Sequence, residues 1–207
     1  MNRVSFPIVL AIFAAMPALG QYKMEPVATP APAYAAVMQP QGFRIVPPAG
    51  GAFCEVWFRA AIPSGPKSDQ PNVTFPTIQQ GALLGVIRFP GTGADRRGQS
   101  IRPGVYTLRY SNYPVNGDHQ GVAPQRDFVL LVPADDDKDP NATPAFDQLV
   151  DMSRKASRTP HPAVLSIEPP AGSEFPAFGQ EGEKDWVLSI KAGSTPLSII
   201  LVGKSEG

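Results

Sequence analysis

Punctuation is what most constrains this chain. From Gly42 to Val202, short runs rich in β-branched and aromatic residues alternate with clusters of Pro, Gly, Asn and Asp. Proline cannot donate to a ladder and glycine accepts backbone angles that other residues avoid, so such clusters turn a chain rather than prolong an element. The 25 prolines and 19 glycines among 207 residues are spread between the apolar runs, which leaves no room for long helices. Strands are expected at 43–46, 53–61, 82–89, 104–111, 127–132, 163–167, 186–191 and 197–202. Pro47-Pro48-Ala49-Gly50-Gly51 should turn the first into the second. Phe128-Val129-Leu130-Leu131-Val132 is apolar at every position, so that strand should lie centrally with both faces covered.

One helix interrupts the pattern, near 143–155. Thr143 can cap it, Pro144 suits a first helical position, and Phe146, Leu149 and Val150 recur on one helical face, with Arg154 and Lys155 in the last turn. The expected fold is therefore mostly all-β: an antiparallel two-sheet β-sandwich or open barrel with one short helix packed on it. No internal repeat is visible.

The start of the chain reads as an export signal. Asn2 and Arg3 precede an uncharged stretch from Val4 to Leu19, and Ala18 and Gly20 supply small residues at a cleavage site before Gln21. Pro7 and Pro17 break the run, which falls short of the ~20 apolar residues a membrane-spanning helix needs. No membrane span is expected after cleavage, and the location is secreted or periplasmic. Residues 21–41, rich in Pro, Ala and Gln, read as an extended leader to a single domain over 42–207. A mature chain of roughly 190 residues, 43% hydrophobic, can build one proper core.

Charge excludes some partners. Eighteen basic and eighteen acidic residues leave no net field to recruit nucleic acid. Cys54 is the lone cysteine, so the fold cannot rest on a disulfide within the chain. Alternation sets Cys54 with Val56 and Phe58 on one face, as a small buried hydrophobe.

Three places carry residues fit for chemistry. The segment 112–126 is longer than a hairpin needs and holds Asp118 and His119 between Gly117 and Gly121, so it is the expected working surface. Imidazole and carboxylate both ligate divalent metals, and His161, between Pro160 and Pro162, would complete a three-ligand set with Asp118 and His119 if the fold brought them together. A self-bonded Asp turn and exposed histidines explain the same residues. Blue copper is excluded by order, since Cys54 precedes both histidines and no methionine follows His161.

The second place is a sheet surface. Trp57 and Arg59, with Phe53 and Glu55, alternate on the face opposite Cys54, and Arg109 and Asp127 are expected on the same surface. Aromatic planes flanked by a guanidinium and a carboxylate make a platform for a carbohydrate or protein ligand, whereas cross-strand ion pairs over a covered Trp need no ligand. The third is Asp135-Asp136-Asp137-Lys138-Asp139. It lacks the glycine and the final glutamate of a calcium loop, because Pro140 stands at the sixth position, and reads as a solvated turn.

Nucleophile-elbow, zinc-protease and phosphate-loop motifs are missing. The expectation is an exported, non-catalytic β protein with a binding or structural role. The alternative is a metal-binding protein or metal-dependent enzyme using Asp118, His119 and His161 with a divalent cation.

Overall fold

Two edges and one interior organise the computed structural model, which describes residues 21–113 and 126–205. The described strands are β1 (Lys23–Val27), β2 (Gly42–Val46), β3 (Cys54–Phe58), β4 (Leu83–Phe89), β5 (Gly93–Ala94), β6 (Ser100–Ile101), β7 (Gly104–Asn112), β8 (Asp127–Pro133), β9 (Val164–Glu168), β10 (Ala177–Glu181), β11 (Asp185–Ala192) and β12 (Thr195–Val202). Ten of them form one sheet in the order β1-β2-β3-β4-β7-β8-β9-β12-β11-β10, every pairing antiparallel, while β5 and β6 make a small separate hairpin. The last four strands follow a Greek-key order, β9 lying beside β12 after the chain has crossed to β10.

The large sheet curls into a nearly closed barrel, the open-barrel form of the expected fold. Alternate residues of its strands meet in one interior that includes Ile45, Cys54, Val56, Phe58, Ile87, Leu108, Val129, Leu131, Leu165, Leu188 and Ile199. Edge strands β1 and β10 share no backbone ladder, and aromatic rings bridge them instead. Tyr22 meets Trp186 with ring centroids 5.3 Å apart, and Trp186 stacks on Phe178 at 5.6 Å. Burial and the adjacent Glu55 push the Cys54 thiol far above its ordinary range, so it is an inert part of this interior.

All eight expected runs contain strands. The turn after β2 forms as its composition requires, Gly50 donating to the Pro47 carbonyl at 2.9 Å, with Gly50 and Gly51 both at positive φ. Strand β8 lies between β7 and β9. Its inner residues Val129 and Leu131 face the barrel, while Phe128, Leu130 and Val132 on its outer side lie under helix α1 (Phe146–Ser157) with Leu149. Replacing Leu130 by Ala should therefore cost about 2–5 kcal/mol in a denaturant titration. An effect near zero would mean that α1 does not seal that face.

Three features differ from the expectation. Residues 21–41 do not stand apart from the domain: Lys23–Val27 is an edge strand, and the stretch after it folds back over the barrel. The helix begins at Phe146, with Ala145 as an extended cap residue and no side-chain cap, rather than at Thr143-Pro144. The backbone before it is held elsewhere, since the carbonyls of Asp139, Pro140 and Ala142 all accept from arginines. Finally, β10 was not expected from its Gly-containing sequence. No helix among the described residues is long and apolar enough to cross a membrane.

Candidate functional site

The outer face of the barrel is laid out in rows by strand register. One row runs Glu25 on β1, Arg44 on β2, Glu55 on β3 and Arg88 on β4, each directly opposite the next. Opposite charges facing across a ladder attract, and the alternation of sign continues over all four strands.

Glu55 is the centre of that row and is only 1% exposed, whereas Arg44 and Arg88 are 41% and 45% exposed. Arg44 donates to Glu55 Oε1 from Nε at 2.9 Å and from Nη2 at 2.8 Å. Arg88 donates to Oε2 from Nε at 2.8 Å and also from Nη2. The carboxylate thus holds the side edge of both guanidiniums. Glu25 is looser, its Oε2 lying 3.9 Å from Arg44 Nη1. These four side chains, with Val46, Gly51, Ala52 and Pro90, line an open groove of about 420 Å³. That volume falls in the range of small-molecule sites.

The residues expected as a ligand platform have other work. Trp57 and Arg109 share the outer face but are 1% and 0% exposed, because the chain covers them. Trp57 packs with Val27, Ala31, Met38, Leu83 and Val86 and donates from Nε1 to the Thr29 carbonyl at 3.0 Å. Arg59 donates to the Pro140 carbonyl at 2.5 Å and to Asn141 Oδ1 at 2.7 Å. Burial and the neighbouring Arg109 lower its pKa from the usual arginine range.

Arg109 is saturated. Its Nε and Nη2 donate to Asp137 Oδ2 and Oδ1 at 2.7 and 2.6 Å, Nη2 also to the Asp139 carbonyl at 2.6 Å, and Nη1 to the Gly81 and Ala142 carbonyls at 3.1 and 2.6 Å. A guanidinium has five N–H donors, and none is left for a ligand. Asp137 correspondingly is not part of a solvated turn: it is 4% exposed and also accepts from Thr107 Oγ1 at 2.7 Å.

Asp127 corrects the expectation of a shared surface. It lies on the inner side of β8, opposite in direction to Arg109, and accepts from Tyr110 Oη at 2.6 Å and from the backbone N–H groups of Phe75 at 3.0 Å and Thr74 at 2.7 Å. Its task is to fasten the 74–75 backbone across one end of the barrel. Burial and then the Asp127 carboxylate push the Tyr110 phenol well above its ordinary range, so that hydroxyl stays a donor.

Of the metal set, Asp118 and His119 lie outside the described residues. His161 is exposed between α1 and β9, and its backbone carbonyl accepts from Ser157 Oγ at 2.5 Å. Among the described residues no three His, Cys, Asp or Glu side chains stand together as a metal set. Most of the 112–126 segment is likewise outside them, but its ends are tied. Tyr113 stacks on Phe128 at 4.2 Å, and Arg126 donates to the Tyr113 and Pro71 carbonyls.

Sequence reasoning reached Glu55 but passed over Arg44 and Arg88. Each is the single charge in an otherwise uncharged strand, Gly42–Val46 and Leu83–Phe89, which is the signal that was present. Compared with protein-family models, with curated proteins and with solved structures, the chain matches none.

Proposed function

We propose that this is an exported, non-catalytic binding protein that takes a small ligand in the outer groove over β1–β4. The observation that carries the reading is the pair Arg44 and Arg88, half exposed at a concave surface and fixed by one buried carboxylate. A lone surface arginine is mobile, and ordering it on binding costs about 0.5–1.5 kcal/mol. Two guanidiniums already held by Glu55 avoid much of that cost. Support for export comes from the positive start, apolar run and small-residue cleavage site of residues 1–20.

One experiment addresses both parts. Protein secreted by a bacterial host should begin at or near Gln21 by intact mass, and a panel of small neutral, anionic and cationic solutes should contain at least one that raises its melting temperature. That rise should be lost in the Arg44→Lys/Arg88→Lys variant, which keeps a positive charge beside Glu55 but removes the planar forks. Retention of residues 1–20, or stabilisation that survives in the double variant, would remove the corresponding part of the proposal.

A further inference from the structure

Resting on the reading of the groove as a binding surface, we infer that its ligand is recognised through a single carboxylate seated between Arg44 and Arg88. The donors are the first argument. Glu55 engages Nε and Nη2 of each arginine, which is the side edge of the guanidinium. The end edge of each, carrying Nη1 and the outward N–H of Nη2, is not engaged by Glu55. Arg88 Nη1 has no protein acceptor among the described residues, and Arg44 Nη1 has only Glu25 at 3.9 Å. Two such forks held beside one carboxylate are matched to the planar, two-oxygen acceptor they already hold on their other side.

Charge separates a carboxylate from a phosphate. At the Arg44–Glu55–Arg88 centre two guanidiniums and one buried carboxylate leave a single positive charge for the free end edges, and Glu25 at the rim brings the row of four to zero, so nothing in the groove offsets more than one added negative charge. A second negative charge would meet Glu25, half exposed at the rim and already beside Arg44. The groove therefore favours a monoanion over a dianionic phosphoryl group. Its remaining lining is small or apolar, Val46, Gly51, Ala52 and Pro90, so the body of the ligand lies against carbon while the carboxylate is held. A sugar acid has this form, with one carboxylate and a compact ring whose C–H face is apolar.

The test uses three matched probes, D-glucuronate, D-glucose and D-glucose 6-phosphate, titrated into the mature protein labelled with nitrogen-15. The arginine Nε–Hε resonances of Arg44 and Arg88 are assigned from their disappearance in Arg44→Lys and Arg88→Lys. Glucuronate should shift both resonances saturably, glucose should leave them in place, and glucose 6-phosphate should bind about tenfold more weakly than glucuronate. Each Lys variant should weaken glucuronate about tenfold, the loss of one charge-assisted bond, while keeping the unfolding midpoint close to that of the parent. Equal or tighter binding of glucose 6-phosphate, or of glucose, at these two arginines would overturn the carboxylate assignment and leave the groove as a binding site. If none of the three moves the Arg44 and Arg88 resonances, the carboxylate assignment falls. The binding reading falls with it only if the wider solute panel also yields no ligand lost in the double Lys variant.

Discussion

Replacing Asp137 by Ala is expected to cost about 3–5 kcal/mol of folding stability, a large share of what a domain of this size has. The reason is what the substitution leaves behind. Arg109 is 0% exposed and gives two of its five N–H groups to the Asp137 carboxylate, so without it a full positive charge sits in the protein facing only neutral carbonyls. Thr107 loses its shorter acceptor as well and keeps only the Val132 carbonyl at 3.4 Å. Asp137→Asn should cost less, because an amide oxygen still accepts one of the two bonds while the charge goes uncompensated. The double change Arg109→Met/Asp137→Ala should recover much of the loss, since it removes the charge together with its partner. Urea unfolding of the four proteins measures this directly. A near-neutral Asp137→Ala, or a double variant no better than the single, would show that the pair is not buried as described.

The same cluster explains why the barrel was more legible in the sequence than its outer layer. Strand residues announce themselves by local pattern: Phe128-Val129-Leu130-Leu131-Val132 can only be covered on both sides, and Val56, Phe58, Val86 and Ile87 carry the preference for a pleated, buried surface in their own side chains. Nothing local reveals that Asp137, within a run of carboxylates that looks solvated, reaches Arg109 on β7 and Thr107 beside it. Nor does Pro26 advertise an edge strand. Lys23–Val27 reads as a leader because proline is poor in a sheet interior, yet at an edge its missing N–H costs no ladder bond.

The groove shows the same limit from the other side. Alternation places Glu55 on the outer face of β3, and that much was readable. The identities of its partners depend on β2 and β4 pairing with β3 so that Arg44 and Arg88 both fall opposite it, and a slip of one residue would send both arginines to the interior. Glu55 and Arg88 stand 33 positions apart, so the register of β3 on β4 is set by the packing of the whole barrel, and no short motif encodes it. Arg109 and Asp127 illustrate the converse. As charged residues near the ends of neighbouring strands they resembled a surface pair, but residue parity sends one outward and the other inward.

Trp57→Ala should be the other severe change, costing about 3–5 kcal/mol. The indole is 1% exposed and fills the space between the barrel and the segment that crosses it, touching Val27, Ala31 and Met38 on one side and Leu83 and Val86 on the other. Space around it is closed tightly enough that a Cβ added at Gly42 would stand 2.4 Å from the indole nitrogen. Removing the ring takes the floor from under residues 27–38, whose remaining ties include the Tyr34 hydroxyl bond to the Asp137 carbonyl and the Val37 carbonyl, which accepts from the Ala60 backbone N–H at 2.9 Å. Two readouts separate this from a loss spread over the whole barrel. Limited proteolysis of Trp57→Ala should cut first within 28–37, before any cut in β7 or β8, because a segment held by few buried contacts opens at lower free energy than the core. Trp57→Phe, which keeps most of the apolar volume but gives up the bond to the Thr29 carbonyl, should lose far less, about 1–2 kcal/mol, and should retain protection of 28–37. Were Trp57→Ala to unfold with an unchanged midpoint, or to be cut first in the central strands, the crossing segment would not be anchored by this residue.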